Sequence, residues 1–254
     1  MSNSCRVSFI VVNWNGRHLL RDCLESIFKQ SYKNYDVIVV DNASDDGSVE
    51  WICRSYPLAQ VVELSANFGF AGGNNRGLIE CHGEYIALVN NDVVLDENWL
   101  ENIIVPLEEE PSVGFVSSRI FVRGSVSIDS IGDRITSAFT GVKLAEGRDG
   151  NLYDFPVHVQ GVCAAACIYR RSMLDEIGFF DEDLFLNYED TDLNIRSWLR
   201  GWMCRYAPGA IAHHAVNSTI GKMSSLSVFY FSRNSLLVLI KNIPLRLIVR
   251  RIHQ

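Results

Sequence analysis

Short, uninterrupted apolar runs alternate with stretches whose apolar residues recur every three to four positions. Val7-Ser-Phe-Ile-Val-Val12, Asp36-Val-Ile-Val-Val-Asp41, Gln60-Val-Val-Glu-Leu64 and Tyr85-Ile-Ala-Leu-Val-Asn90 are the runs. Near-continuous Val, Ile and Leu mark strands buried on both faces, as in a parallel sheet. Between them Leu19, Leu20, Cys23, Leu24, Ile27 and Phe28 share one helical face, and the spacing predicts further helices over 49–55, 71–81 and 99–110. Strands alternating with helices give right-handed βαβ units and a parallel sheet with helices on both faces.

Past residue 110 the alternation fades. Val113-Gly-Phe-Val-Ser-Ser-Arg-Ile-Phe-Val122 and the Gly-rich stretch to Gly161 predict a less regular, partly antiparallel extension that covers the sheet edge and shapes a second pocket. Helical spacing returns at Leu193, Ile195, Trp198 and Leu199. No Pro-, Gly- or Ser-rich linker and no internal repeat divides the 254 residues, so we read one domain over 1–225 and a C-terminal segment over 226–254.

A hydrophobic content of 48% supplies a core and argues against disorder. The cysteines, at 5, 23, 53, 81, 163, 167 and 204, form no Cys-x-x-Cys pair and no zinc-like spacing. They read as reduced core thiols of a cytosolic protein. The N-terminal residues lack the apolar core of a signal peptide, which predicts a cytoplasmic location.

Charge changes the picture of the C-terminal segment. The formal net charge of -7 hides an asymmetry: all 30 acidic residues lie at or before Asp192, whereas Arg196, Arg200, Arg205, Lys222, Arg233, Lys241, Arg246, Arg250 and Arg251 follow it. Interleaved with Phe229, Leu236, Ile240, Leu247 and Ile248, these suit an interfacial helix on an anionic membrane surface better than a nucleic-acid arm. No apolar run approaches the roughly 18 residues needed to span. The expected place is the inner face of the cytoplasmic membrane, held peripherally; a closing helix packed on the domain fits residues 226–240 equally well.

Two acidic sites carry candidate chemistry. Glu189, Asp190 and Asp192 sit where a helix begins, so they either cap it or supply an ionised general base. Asp92 ends a buried strand at the carboxyl edge of the sheet, where open α/β folds bind ligands.

Seven segments then recur in order: Val11-Val-Asn-Trp-Asn-Gly16, Val40-Asp-Asn-Ala-Ser-Asp-Asp-Gly-Ser48, Asn67-Phe-Gly-Phe-Ala-Gly-Gly-Asn-Asn-Arg-Gly77, Leu88-Val-Asn-Asn-Asp92, Gly178-Phe-Phe-Asp-Glu182 with Tyr188-Glu-Asp-Thr-Asp192, His213 to Ser218, and Tyr230-Phe-Ser-Arg-Asn234. Together, over residues 6 to about 242, they resemble the family 2 glycosyltransferases of GT-A fold, a group that includes bacterial rhamnosyltransferases. The resemblance implies an α/β fold, with a Rossmann-like, mostly parallel central sheet flanked by helices and a mixed C-terminal acceptor half. It implies inverting, divalent-metal-dependent transfer of a sugar, rhamnose favoured, from a dTDP or UDP donor. The acceptor is a saccharide or lipid-linked saccharide, in bacterial cell-surface polysaccharide synthesis.

Residue by residue, the resemblance implies that Asp41 accepts the N3-H of a pyrimidine, with an Asx-turn role as the alternative. Val12 and Asn13 border the base, and Asn67, Asn74 and Asn75 line the ribose or diphosphate. Asn90-Asn91-Asp92 stands where the family has Asp-x-Asp, so Asn91 bonds the ribose and Asp92 holds Mg²⁺ or Mn²⁺ on the diphosphate. Asn in place of the first acid lowers metal affinity. His213, with His214 as its rival, ligates the metal or a phosphate. Asp190 is the general base, Glu189 its substitute, and Asp192 serves the helix terminus or Arg196.

Three other readings compete. A dinucleotide oxidoreductase lacks its Gly-x-Gly-x-x-Gly, since Asn13-Trp-Asn-Gly16 follows the first strand. A pyrophosphorylase would need a basic Gly-rich loop there, and residues 13–18 offer Arg17 alone. A non-catalytic, membrane-docked scaffold of the same fold is favoured by the missing acid and opposed by the intact Glu-Asp-x-Asp cluster.

Overall fold

A computed structural model describes residues 7–136, 140–216 and 225–252. The first half follows the apolar pattern closely: β1 (Val7–Asn13), α1 (Arg17–Phe28), β2 (Tyr35–Asp41), α2 (Ser48–Ser55), β3 (Gln60–Glu63), α3 (Gly69–Glu80) and β4 (Tyr85–Val89). After it come β5 (Val93–Leu95), α4 (Trp99–Glu109), β6 (Val113–Val122), β7 (Ile128–Ser130), β8 (Asp133–Ile135), β9 (Gly141–Lys143), β10 (Ala166–Arg170) and α5 (Arg171–Ile177). The chain closes with α6 (Glu189–Leu199), β11 (Met203–His214), α7 (Ser225–Asn242) and α8 (Leu245–Ile252).

The main sheet runs β3-β2-β1-β4-β10-β6-β11-β5, with β7 paired to β6. Strands β1 to β4 are mutually parallel where they pair, and β1 lies between β2 and β4. Chain direction across the sheet therefore reverses at β1, and the carboxyl ends of β1, β2 and β4 open a crevice there. Period-two alternation sends Phe9 and Val11 to one face, against Leu20, Leu24, Trp99 and Ile103, and Ile10 to the other, with Ile86, Tyr169 and Leu193. Helix α3 lies so close to the sheet that a Cβ on Gly73 would meet Val12 Cγ1 at 2.8 Å and one on Gly77 would meet Ile10 Cγ2 at 2.7 Å. This is the physical reason for the glycines of that motif.

The second half is partly antiparallel, as expected, but it does not simply cover the edge. β10 is inserted inside the sheet, antiparallel to both β4 and β6, and joins the two halves. β11 runs parallel to β6 with an irregularity between Ala207 and Ile211. The chain there reads Pro208-Gly209, which interrupts the ladder and hides the strand from a pattern search.

The segment from 226 onward starts with a helix fastened to the domain. Asn234, fully buried on α7, donates from Nδ2 to the carbonyls of Leu184 (2.7 Å), Leu186 (2.8 Å) and Asn187 (2.7 Å). Val238 packs with Leu184, Tyr188 and Ile195. Asp192, also fully buried, accepts from Arg196 Nε at 2.7 Å, Lys241 Nζ at 3.1 Å and Asn242 Nδ2 at 2.8 Å. Among the described residues no helix is long and apolar enough to cross a membrane.

Candidate active site

Beneath the crevice lies a ladder of buried amides and one acid. Asn91 Nδ2 donates to Asn13 Oδ1 at 2.9 Å, and Asn13 Nδ2 donates to Asp41 Oδ2 at 3.1 Å and to Ser48 Oγ at 3.0 Å. Asp41 Oδ1 accepts from the Ser44 amide at 2.8 Å. The three side chains are at least nine-tenths buried, and a Cβ on Gly16 would collide with Asn91 and Asn13. Asn13 and Asp41 thus tie the ends of β1 and β2 together under the floor instead of facing the cleft. Asn91 reaches the lining, but its amide is turned down to Asn13.

Above that floor is an outer cleft of about 590 Å³, lined by Val12, Trp14, Asn42, Asn67, Asp92 and His214 among others. Val12, Asn67 and Asp92 all reach the lining of this cleft. Asn75 does not: its amide donates to the Phe180 carbonyl at 2.8 Å and its Oδ1 accepts from the Phe180 amide at 3.1 Å, pinning α3 to the chain before α6. Asn74 is buried, with Nδ2 on the Phe70 carbonyl.

The two candidate histidines part ways in the structure. Neighbours on a strand point to opposite faces. On β11, His213 turns to Asp96 (3.2 Å) and stacks on Phe121, away from the cleft, while His214 Nε2 stands 3.2 Å from Asp92 Oδ1. The other ring nitrogen, Nδ1, lies 2.9 Å from Asp129 Oδ2, and Asp129 Oδ1 accepts from Lys143 Nζ at 2.7 Å. Burial opposes charge on His214, but its hydrogen bonds to Asp129 and Asp92 and their charges prevail, raising its pKa to about 9. Burial likewise opposes charge on Asp129, and the His214 hydrogen bond with the Lys143 charge pulls it down to about 2. The Ser218 end of the histidine motif lies outside the described residues.

The cleft adjoins a second, inner pocket of about 300 Å³, and Asn90, Lys143 and His214 belong to the walls of both. Asp190, in the first turn of α6, faces this pocket. Its Oδ1 accepts from the Thr191 amide at 2.7 Å and its Oδ2 from the Ala164 amide at 3.4 Å. Burial nevertheless outweighs these bonds and the Lys143 charge, and holds its pKa above the ordinary value. Glu189 is pushed up further, first by burial and then by the charge of Asp190. Asp192 faces away and pairs with Arg196, the role expected of it.

The chain entering α6 is strained. Phe185, Asn187 and Tyr188 have φ of 60°, 67° and 73°, a region that side chains larger than glycine disfavour. Asn234 holds the carbonyls of Leu184, Leu186 and Asn187, so α7 braces the turn that precedes Asp190. Trp14, Asp129, Asp133, Lys143 and Asn187 were absent from the sequence reading. Trp14 stood inside a quoted motif, and Ile128-Asp-Ser-Ile-Gly-Asp133 places acids among β-branched residues, which is a legible sign of buried charge.

Among the described residues no three His, Cys, Asp or Glu side chains converge on one point. Asp92 and His214 are the pair that could hold a divalent cation, with Asp129 fixing the imidazole from behind as carboxylates do for metal-binding histidines. Two protein ligands suit a cation completed by substrate phosphates and water. The donor set fits a cation that displaces the proton from His214 Nε2, which the raised pKa otherwise retains near neutral pH.

Several known proteins share this architecture. A crystal structure of GalNAc-T7 with UDP, GalNAc and Mn2+ superposes with a TM-score of 0.75 at 15% identity, over 94% of this chain and 48% of that one. A mannosyltransferase, PcManGT of Pyrobaculum calidifontis, with GDP-Man and Mn2+, gives 0.69 at 20% identity, over 94% and 65%. In sequence, the poly-beta-1,6-N-acetyl-D-glucosamine synthase of Staphylococcus epidermidis is 24% identical over 217 residues, covering 85% of this chain and 51% of its own. The chain thus spans about half the length of the curated relatives it matches. Residues 8–178 match the profile of the family described as Glycosyl transferase family 2. The strand order, the crevice at β1 and the sequence match agree: the chain belongs to glycosyltransferase family 2 and has the GT-A fold.

Proposed function

We propose that the chain catalyses inverting transfer of a sugar from a pyrimidine nucleotide-diphosphate donor to a saccharide or lipid-linked saccharide in cell-surface polysaccharide synthesis. The observation that carries this reading is the adjacency of the outer cleft, at Asp92 and His214, to the pocket holding Asp190. The nucleoside lies along Val12, Trp14 and Asn67; Asp41 and Asn13 act from beneath by fixing that wall. Asp92 and His214 are the residues that would hold Mg²⁺ or Mn²⁺ beside the diphosphate, where the ion would supply positive charge to the leaving group. Asp190 accepts the proton of the acceptor hydroxyl as its oxygen bonds to the anomeric carbon and the carbon–oxygen bond to the diphosphate breaks. One displacement from the face opposite the diphosphate inverts that carbon.

Rhamnose follows from the resemblance of the motifs; the name of the staphylococcal relatives adds N-acetylglucosamine as the second candidate. Transfer and hydrolysis assays with dTDP-rhamnose, UDP-N-acetylglucosamine, UDP-glucose and UDP-galactose, with Mg²⁺, Mn²⁺ or EDTA, test the reading. Metal-stimulated turnover of at least one donor is expected. Inertness toward all of them in the presence of saccharide acceptors would favour the non-catalytic scaffold. The proposed location is the cytoplasmic membrane surface, through the exposed apolar side chains Leu226, Phe229, Leu236 and Ile240 of α7 and the basic, apolar α8.

A further inference from the structure

The short β8–β9 hairpin packs directly on the first turn of α6. A Cβ on Gly141 would meet Thr191 Oγ1 at 2.6 Å, so the missing side chain is what lets β9 lie against the turn that holds Asp190. Side chains alternate along a strand, so Lys143, two residues on, shares the face of Gly141, and it lines the inner pocket together with Asp190. Asp133 stands directly across the hairpin from Lys143. Asp129, on β7, anchors the ammonium with Oδ1 at 2.7 Å from Nζ.

Asp133, Glu189 and Asp190 share this pocket with Lys143, and the three carboxyls are not equivalent. Asp190 accepts from the amides of Thr191 and Ala164, whereas Asp133 Oδ1 and Glu189 Oε2 are buried with no hydrogen-bond partner. A buried carboxylate without donors is costly, so the negative charge of the pocket belongs on Asp190. Burial first, and then the charge of Asp190, pushes Asp133 and Glu189 well above the carboxylate range. The other titratable groups around Asp190 supply no free countercharge. Burial holds Tyr188 before α6, and Cys163, Cys167 and Tyr169 in and before β10, in their neutral forms. His214, on β11, is engaged by Asp92 and Asp129.

Building on Asp190 as the base of the proposed transfer, we propose that Lys143 is its positioning residue: the β8–β9 hairpin, anchored on Asp129, holds a positive charge in the base pocket so that this buried carboxyl is the one that ionises. Attraction of this kind acts across the pocket and requires no contact. Burial raises the Asp190 carboxyl, and the Thr191 and Ala164 amides and then the Lys143 charge pull it back.

Carbon-13 NMR of the full chain labelled at its aspartate carboxyls reads this without turnover, the Asp190 signal being identified by its loss in Asp190→Asn. Two neutral variants, Lys143→Gln, which keeps an N–H donor for Asp129, and Lys143→Met, should move the Asp190 midpoint up by about one pH unit or more. Lys143→Arg keeps the charge and should hold the midpoint within about 0.5 unit. With a donor that is turned over, the acid limb of kcat should move by the same amount. An unmoved midpoint in a neutral variant that unfolds cooperatively in urea, or an equal shift in Lys143→Arg, would overturn the proposal. An unmoved midpoint with about a tenfold loss of UDP affinity would place the ammonium on the diphosphate instead. Absence of turnover with every donor, while the midpoint shifts as expected, would overturn the transfer reading and leave the charge pairing of Lys143 with Asp190 standing.

Discussion

A base works when it is ionised, within reach of the proton and close in pKa to the working pH. Asp190 has an elevated pKa, because burial outweighs its two backbone hydrogen bonds. An acid so raised is protonated over a wider range: turnover should fall as pH drops, with the limb lying above the usual carboxylate range, and recover as pH rises through the raised value. A pH profile of kcat checks this, and a limb at or below an ordinary aspartate's pKa contradicts it. Asp190→Asn should reduce kcat by at least about a hundredfold with nucleotide affinity little changed. The histidines offer a paired test. His214→Ala should abolish the metal-dependent gain in UDP binding and His213→Ala should leave it intact, because Asp92 faces His214 alone. Manganese titration by electron paramagnetic resonance reads both variants; the opposite ranking would restore His213.

At the scale of elements, α7 acts as a brace for the strained turn before α6. Replacing the buried Asn234 by Ala strands three carbonyls, of Leu184, Leu186 and Asn187. A loss of about 1–3 kcal/mol in urea unfolding is expected, together with lower turnover as Phe185 to Tyr188 relax. Ser235→Ala, whose hydroxyl meets the Ser232 carbonyl on the surface, serves as the control and should stay within about 0.5 kcal/mol of wild type. Equal stability of the two variants would remove the brace. Sequence pattern leaves residues 226–240 open between an interfacial helix and one packed on the domain; Asn234, Lys241 and Asn242 fasten α7 through polar contacts that hydrophobic periodicity does not register.

For the whole molecule, the charge asymmetry is partly consumed by the fold. Arg196 and Lys241 bind Asp192, Arg205 binds Glu110, and Arg233 meets the carbonyls of Asp183 and Leu184. Lys241 is engaged by Asp181 and Asp192, so lipid contact is proposed for the basic residues that the sequence of α8 carries, Arg246, Arg250 and Arg251. Changing these three to Gln in the full chain should weaken binding to anionic vesicles by about 3 kcal/mol, on the order of a hundredfold, with neutral vesicles bound weakly throughout. Co-sedimentation at low and high salt measures it, and unchanged partitioning would reduce α8 to ordinary packing.

Sequence alone determined the parallel half of the fold, because strands buried on both faces and helices buried on one leave periodicities that need no partner to be read. It also singled out Asp92 and Asp190, since acids at the end of a buried strand and the start of a helix stand out locally. The position of β10 inside the sheet, the choice of His214 over His213, the burial of Asn13 and Asp41 beneath the floor and the joining of Asp129, Asp133 and Lys143 to the site were decided by tertiary structure. Each depends on which face of an element meets a segment distant in the chain. Pairing and burial of that kind are set by the packed whole, and the local pattern carries no record of them.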